Sequence, residues 1–192
     1  MRGDPARTAL VISEQPHPWA LVRDRLGGEF VSVAWARPSQ VAKVVAALAP
    51  GPWVVAGGET VLPESAVEAL RGRLFAAHWV QDPPPTLPVK PVLHPSWLEL
   101  VDFLEHRLAV RLGGVRLAPG RGLVLPDGAV ITHTSPLEGL LVAYPDGVEV
   151  ERMDPRLRAA VRRAALTLER HHLPLKVVSD ESRVAVVVTG PR

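Results

Sequence analysis

Trp53-Val-Val-Ala-Gly-Gly-Glu-Thr-Val-Leu-Pro-Glu-Ser-Ala-Val-Glu-Ala-Leu-Arg-Gly-Arg-Leu74 holds a complete unit of fold: a short apolar run, a glycine turn at Gly57-Gly58, and a segment opened by Pro63 that turns Val67, Leu70 and Leu74 to one side. The apolar run suits a strand covered on both faces, and the spacing of the later residues suits an amphipathic helix. The same unit occurs twice upstream. Thr8-Ala-Leu-Val-Ile12 is a strand followed by a helix from Pro18 to Leu26, closed by Gly27-Gly28. Phe30 to Trp35 is a strand followed by a helix from Pro38 to Leu48, with Val41, Val44, Val45 and Leu48 on one face. Ala76 to Val80 reads as a fourth strand. Asp82 to Pro88 is too rich in proline for a helix. Val89-Lys-Pro-Val92 follows, then a helix from His94 to Leu108 with Trp97, Leu98, Val101, Leu104 and Leu108 as its apolar face. Repeated βα units predict an α/β domain over residues 1–110, with a doubly wound parallel sheet. Gly113-Gly114 is the expected linker.

Residues 111–192 follow another pattern. Val115 to Ile131 holds short strands around Pro119-Gly120 and Asp127-Gly128 turns. A short helix starts at Ser135, runs through Leu140, Leu141 and Ala143, and stops at Pro145-Asp-Gly147. Asp154 and Pro155 then give a helix-start signal, with Asp at the N-cap and Pro in the first turn. Leu175 to Val188 reads as a β-hairpin with Ser179 to Ser182 at its tip. These elements predict a small α+β domain.

The chain has 192 residues, of which 47% are hydrophobic, enough to bury a core. No apolar run approaches the roughly 20 residues that span a bilayer, and Met1-Arg-Gly-Asp-Pro5 has no apolar signal core. A cytoplasmic protein with no membrane partner is expected. There is no cysteine, which excludes disulfides, thiolate metal sites and a cysteine nucleophile. Net charge is +2, unevenly spread: residues 1–110 carry 10 Lys/Arg against 11 Asp/Glu, and residues 111–192 carry 12 against 9. The surplus points to the C-terminal part as the face for a polyanion.

Within that part the segment from Pro155 to His172 stands out. Leu157, Val161, Ala164, Ala165 and Leu168 form an apolar stripe at helical spacing. Arg156, Arg163 and Arg170 recur every seven residues along one side, and Arg162 flanks them. Such a helix docks on a core and still offers guanidinium groups to phosphates. Glu169 weakens the basic field, and Ala159 and Leu166 sit on the outer face. Lys176 and Arg183 flank the hairpin tip, but Asp180 and Glu181 at the tip repel phosphate. His171-His172 do not share a helix face and suit a helix C-terminus, and the other histidines show no ligand spacing, so no metal is expected. Gly57-Gly58-Glu59 matches neither the P-loop nor the dinucleotide fingerprint. No Ser/His/Asp arrangement or carboxylate pair stands out, so no catalytic residue, cofactor or enzyme activity is expected. The five tryptophans all lie in the N-terminal half, where Trp79 and Trp97 are candidates to edge an interface.

Small antiparallel sheet, helix, short segment, basic helix, terminal hairpin: this order resembles the winged-helix effector domain of OmpR/PhoB-type response regulators. Val115 to Gly128 is similar to that family's opening sheet, and Thr134 to Gly147 to its first helix and the turn after it. The resemblance makes residues 155–172 the recognition helix and residues 175–188 the wing. It makes residues 1–110 a receiver-like domain, with Lys90-Pro91 matching the Lys-Pro that ends a receiver's fifth strand. The acidic pair after the first strand is reduced to Ser13-Glu14, which leaves Glu14 and Lys90 as receiver remnants. No aspartate ends the third strand at Val55-Ala56-Gly57-Gly58, and no hydroxyl follows the fourth. The Mg²⁺ site and the phosphoryl acceptor are therefore lacking, and the stretch before Lys90 is too short for a fourth helix. Residues 148–154 barely hold the second helix of a helix-turn-helix. The resemblance implies a transcriptional regulator that binds duplex DNA without phosphorylation, through Arg156, Arg162, Arg163, Arg170, Lys176 and Arg183. Its receiver-like domain would support a homodimer or a protein partner. Two other readings stand beside it: a protein-interaction adaptor that does not bind DNA, and a small α/β ligand-binding domain or enzyme working at the Gly57-Gly58 end.

Overall fold

Strand β1 (Thr8–Ile12) is buried at every position, as an apolar run in the middle of a sheet covered on both sides requires. The computed structural model describes residues 8–27, 32–48, 52, 54–108, 111–112, 115–118, 122–125, 127–131 and 135–189. Phe30, Trp53, the Gly113-Gly114 linker and Thr134 lie outside them. Helix α1 (His17–Leu26), strand β2 (Ser32–Ala36), helix α2 (Val41–Ala47, preceded by a 3-10 turn over Pro38–Gln40), strand β3 (Val54–Gly57), helix α3 (Glu64–Leu70) and strand β4 (Ala76–Val80) follow in order. The protein is α/β: β1 to β4 and a later strand, β6 (Val92–His94), form a five-stranded parallel sheet in the order β2-β1-β3-β4-β6. This is the doubly wound, flavodoxin-like order, with its switch point between β1 and β3. Helix α4 (Trp97–Leu108) packs against α1, and α2 packs against α3. Arg25 of α1 clamps α4, donating from Nε to Glu105 Oε1 at 2.8 Å and from Nη2 to Asp102 Oδ1 at 2.8 Å.

Several expectations shift at element ends. Helix α3 stops at Leu70, because Gly72 takes a positive φ of 74° and turns the chain. On α4 the inward residues are Leu100, Val101 and Leu104, whereas Leu98 is 53% exposed. His94 belongs to a strand rather than to α4, and the region expected as one fifth strand divides in two. Val89 and Lys90 form β5, which leaves the parallel sheet altogether. The strand that fills the fifth position ends at His94, followed by Pro95. Lys90 therefore does not occupy the position expected for it.

The remaining strands form two antiparallel sheets. Strands β7 (Arg111–Leu112), β8 (Val115–Ala118), β9 (Gly122–Val124) and β10 (Val130–Ile131) make a meander in the order β10-β9-β8-β7. Its Asp127-Gly128 turn forms as the dipeptide predicts: Gly128 has a φ of 86° and Asp127 Oδ1 accepts from Ala129 N at 2.9 Å. Helix α5 (Ser135–Val142), strand β11 (Val148–Val150), helix α6 (Pro155–Arg170) and strands β12 (Leu175–Ser179) and β13 (Arg183–Val188) complete the chain. The third sheet runs β12-β13-β11-β5, so β5 brings the N-terminal part into a sheet built from the C-terminal part.

One hydrophobic cluster extends from Leu10 and Val55 through Val89 and Leu104 to Leu137, Leu140, Leu157, Leu168 and Val186. Further contacts cross residue 110: Glu151 N donates to Pro88 O at 3.0 Å, Arg107 approaches Asp146 at 3.8 Å, and a side chain on Gly72 would meet Arg156. These touch the turn before β4, the residue before β5 and the far end of α4. The C-terminal part therefore sits at the amino-terminal edge of the parallel strands. No described helix is long and apolar enough to cross a membrane.

Leu140, fully buried in α5, tests whether this core is shared. Leu140→Ala should cost about 2–5 kcal/mol. In urea titrations, tryptophan fluorescence reports only the N-terminal half. Its midpoint should shift together with the circular dichroism midpoint; a fluorescence transition that stays in place would separate the two cores.

Candidate nucleic-acid interface

Helix α6 begins where the sequence signals it. Asp154 Oδ1 accepts from Leu157 N at 2.8 Å, a cap worth about 1 kcal/mol. Its buried residues are Leu157, Ala160, Ala164 and Leu168, with Val161 and Ala165 only half-buried. The stripe is thus rotated slightly from the expected one, towards Ala160, because α6 lies between α5 and β12. Arg162, Arg163 and Arg170 are exposed on the outer side, and none has a carboxylate partner among the described residues. Arg156 is 72% exposed and lies 3.7 Å from Glu68 of α3, a weak surface pair. Arg158, on the other flank of the helix, is also exposed, away from Arg163 and Arg170. Leu166 is 49% exposed in the middle of the outer face. His171 and His172 follow the helix in its closing turn. Among the described residues no group of three His, Asp or Glu is placed to hold a metal ion.

The hairpin cations do not join this face. Side chains alternate along β12 and β13. Leu175, Val177, Val184 and Val186 turn inward, which puts Lys176 and Arg183 on the opposite side of the sheet from α6. Arg183 also donates from Nη2 to Asp146 O, and its backbone N–H donates to Asp180 Oδ1 at 2.8 Å. Backbone N–H groups of Ser182 and Arg183 hold the Asp180 carboxyl below its usual pKa, so the tip is firmly anionic. Lys176 and Arg183 thus stand on a different face from Arg162, Arg163 and Arg170. Residues 148–150 form β11, and no helix stands between α5 and α6.

At the other end of the molecule, the position where a receiver would carry its aspartate is closed. The Trp79 ring packs against Gly57 so tightly that a Cβ there would overlap it, and Trp79 Nε1 donates to Glu59 O at 2.9 Å. Trp79 is fully buried, which removes it from the interface expected of it; Trp97 is half-buried, its ring against Gly58. Glu59 Oε1 accepts from Glu14 N at 2.9 Å, so Glu14 contributes its backbone there. Lys90 is paired instead with Glu149, Nζ to Oε2 at 2.8 Å, on the second sheet.

The sequence offered no sign of a buried histidine pair. His78 Nδ1 and His94 Nε2 lie 3.1 Å apart, with the Phe103 ring against both and Arg107 over Phe103 at 4.7 Å. His78 Nε2 is buried with no hydrogen-bond partner among the described residues. Burial, then the nearby charges of His94 and Arg107, push the His78 pKa down to about 3, and burial also lowers that of His94. Only sixteen residues separate the two, but their meeting depends on β4 and β6 being neighbours in the sheet. No protein-family model matches the chain, and no curated protein matches it.

Gly57→Asp should lower the melting temperature and leave the protein without response to beryllofluoride and Mg²⁺, because the added carboxylate meets the Trp79 ring. A stabilising response would show that the pocket opens. Folded His78 stays neutral down to about 3, whereas in the unfolded chain it takes a proton near the ordinary histidine value of 6.5. Between these values the unfolded state binds more protons, so this stabilisation is complete above the upper value and is lost as pH falls towards the lower one. His78→Gln should flatten the dependence of melting temperature on pH across that window; an unchanged slope would show that the pair is not its source.

Proposed function

We propose that the chain is a DNA-binding regulator that works without phosphoryl transfer, laying the outer face of α6 along the phosphates of a duplex. One observation carries this reading: Arg162, Arg163 and Arg170 stand exposed without carboxylate partners among the described residues, while Leu157, Ala160, Ala164 and Leu168 hold the helix down. A helix of 16 residues is about 24 Å long, enough to meet several phosphates. The element order α5, β11, α6, β12–β13 supports a reduced winged helix. With no second helix among its described elements, contact with the backbone is favoured over deep reading of base edges. The N-terminal part is a receiver-like scaffold in this reading, and Trp79 over Gly57 supports its independence of phosphorylation. Leu93 at 58% exposure and Leu98 at 53%, beside edge strand β6, support its use as a dimer or partner surface.

Leu166 and Ala159, apolar in the centre of the arginine face, favour one alternative, a protein-interaction adaptor. A mobility-shift titration with duplex DNA at several salt concentrations separates the two. For a regulator, log K falls linearly with log salt. Arg162→Ala, Arg163→Ala and Arg170→Ala should each lower that slope by about one per lost phosphate contact. An adaptor gives no shift even at low salt, and the three substitutions then change nothing.

A further inference from the structure

The junction between the two ends of the chain encloses a cleft of about 630 Å³. Arg71 and Arg73 enter it from the turn after α3. Arg152 and Arg158 enter it from the segment before α6 and from the helix's first turn. Val89, Met153 and Leu157 supply apolar lining. The carboxylates on its wall are Glu151 and Asp154, and Asp154 is committed to capping α6. Arg71 lies 3.7 Å from Glu68, and Arg73 is anchored by Nε donating to Ala69 O at 3.0 Å. Neither Arg152 nor Arg158 has an ion pair or side-chain hydrogen bond among the described residues.

Four arginines from distant parts of the chain thus line one concavity, facing the carboxylates of Glu151 and Asp154 on its wall and of Glu68 beside Arg71. Like charges gathered on one wall repel, and a concave wall of low dielectric focuses their field on an anion. Each guanidinium is a planar fork that matches two phosphate oxygens at once. The volume falls in the range of small-molecule sites. We propose that this cleft binds a nucleotide-sized molecule carrying two or more phosphate groups, gripped by arginines from both parts of the chain, with its less polar portion against Val89 and Met153. Occupancy ties the turn after α3 to the first turn of α6. The site is separate from the outer face of α6 proposed for duplex DNA, and neither needs the other.

The test uses the full chain, with calorimetric titration and thermal scans against ATP, tripolyphosphate, adenosine and a short DNA duplex. ATP or tripolyphosphate should bind saturably at micromolar concentration and raise the melting temperature by about 5 °C at saturation, while adenosine gives no effect. Arg152→Glu and Arg158→Glu, both at exposed positions, should each weaken that binding at least about tenfold, while their ligand-free melting temperatures stay near that of the parent. The triple change Arg162→Ala, Arg163→Ala, Arg170→Ala should leave it unaltered. Tighter binding of ATP than of tripolyphosphate supports a nucleotide, and equal binding supports a polyphosphate. The proposal is overturned if neither phosphate compound saturates, if adenosine binds as tightly, or if the charge reversals change nothing. It is also overturned if duplex DNA displaces ATP and loses affinity equally in the charge-reversed variants, because the cleft then belongs to the duplex face.

Discussion

Val89 and Lys90 pair antiparallel with Val150 and Glu149, and through that two-residue ladder a segment between two parallel strands becomes the edge of an antiparallel sheet formed by the far end of the chain. Without it β11 would present an open edge, which proteins normally cover. With it, the connection from β4 to β6 is drawn down to the amino-terminal edge of the parallel sheet, and β11 is held between β5 and β13. No helix forms in either place, and the described connection from β4 to β6 contains only β5. The same pairing brings Val89 into the core beside the residues under α6, so one apolar cluster serves both parts.

That arrangement decides where chemistry is possible. Open α/β sheets usually bind ligands at the carboxyl ends of their strands. Here Trp79 lies on Gly57, Trp97 lies on Gly58, and Glu59 is engaged by the backbone of Glu14. Exposed positive charge gathers instead at the opposite end, on α6 and around the cleft at its start. The hairpin contributes little: alternation turns Lys176 and Arg183 away from α6, and the tip keeps an anionic Asp180.

Much of this was legible in the residues. Continuous apolar runs marked β1, β3 and β4, glycine and proline marked most turns, and Asp154-Pro155 marked the start of α6. The arginine spacing placed Arg156, Arg163 and Arg170 on one side of the helix, and their exposure follows from the apolar stripe opposite. Less legible were choices between equivalent apolar residues, such as Leu100 over Leu98 or Ala160 over Val161, because neighbouring helices and strands set the rotation of a helix face by a few tens of degrees.

Local pattern was therefore sufficient for the identity of the main helices and central strands, the parallel sheet and the basic outer face of α6, since period and turn chemistry act over a few residues. The transfer of Lys90 to another sheet, the His78–His94 pair, the indole over Gly57 and the meeting of Arg71 and Arg73 with Arg152 and Arg158 were settled by tertiary structure alone. Each depends on which strand lies beside which, and hydrogen-bond ladders and burial choose those neighbours across stretches of chain that carry no mark of one another.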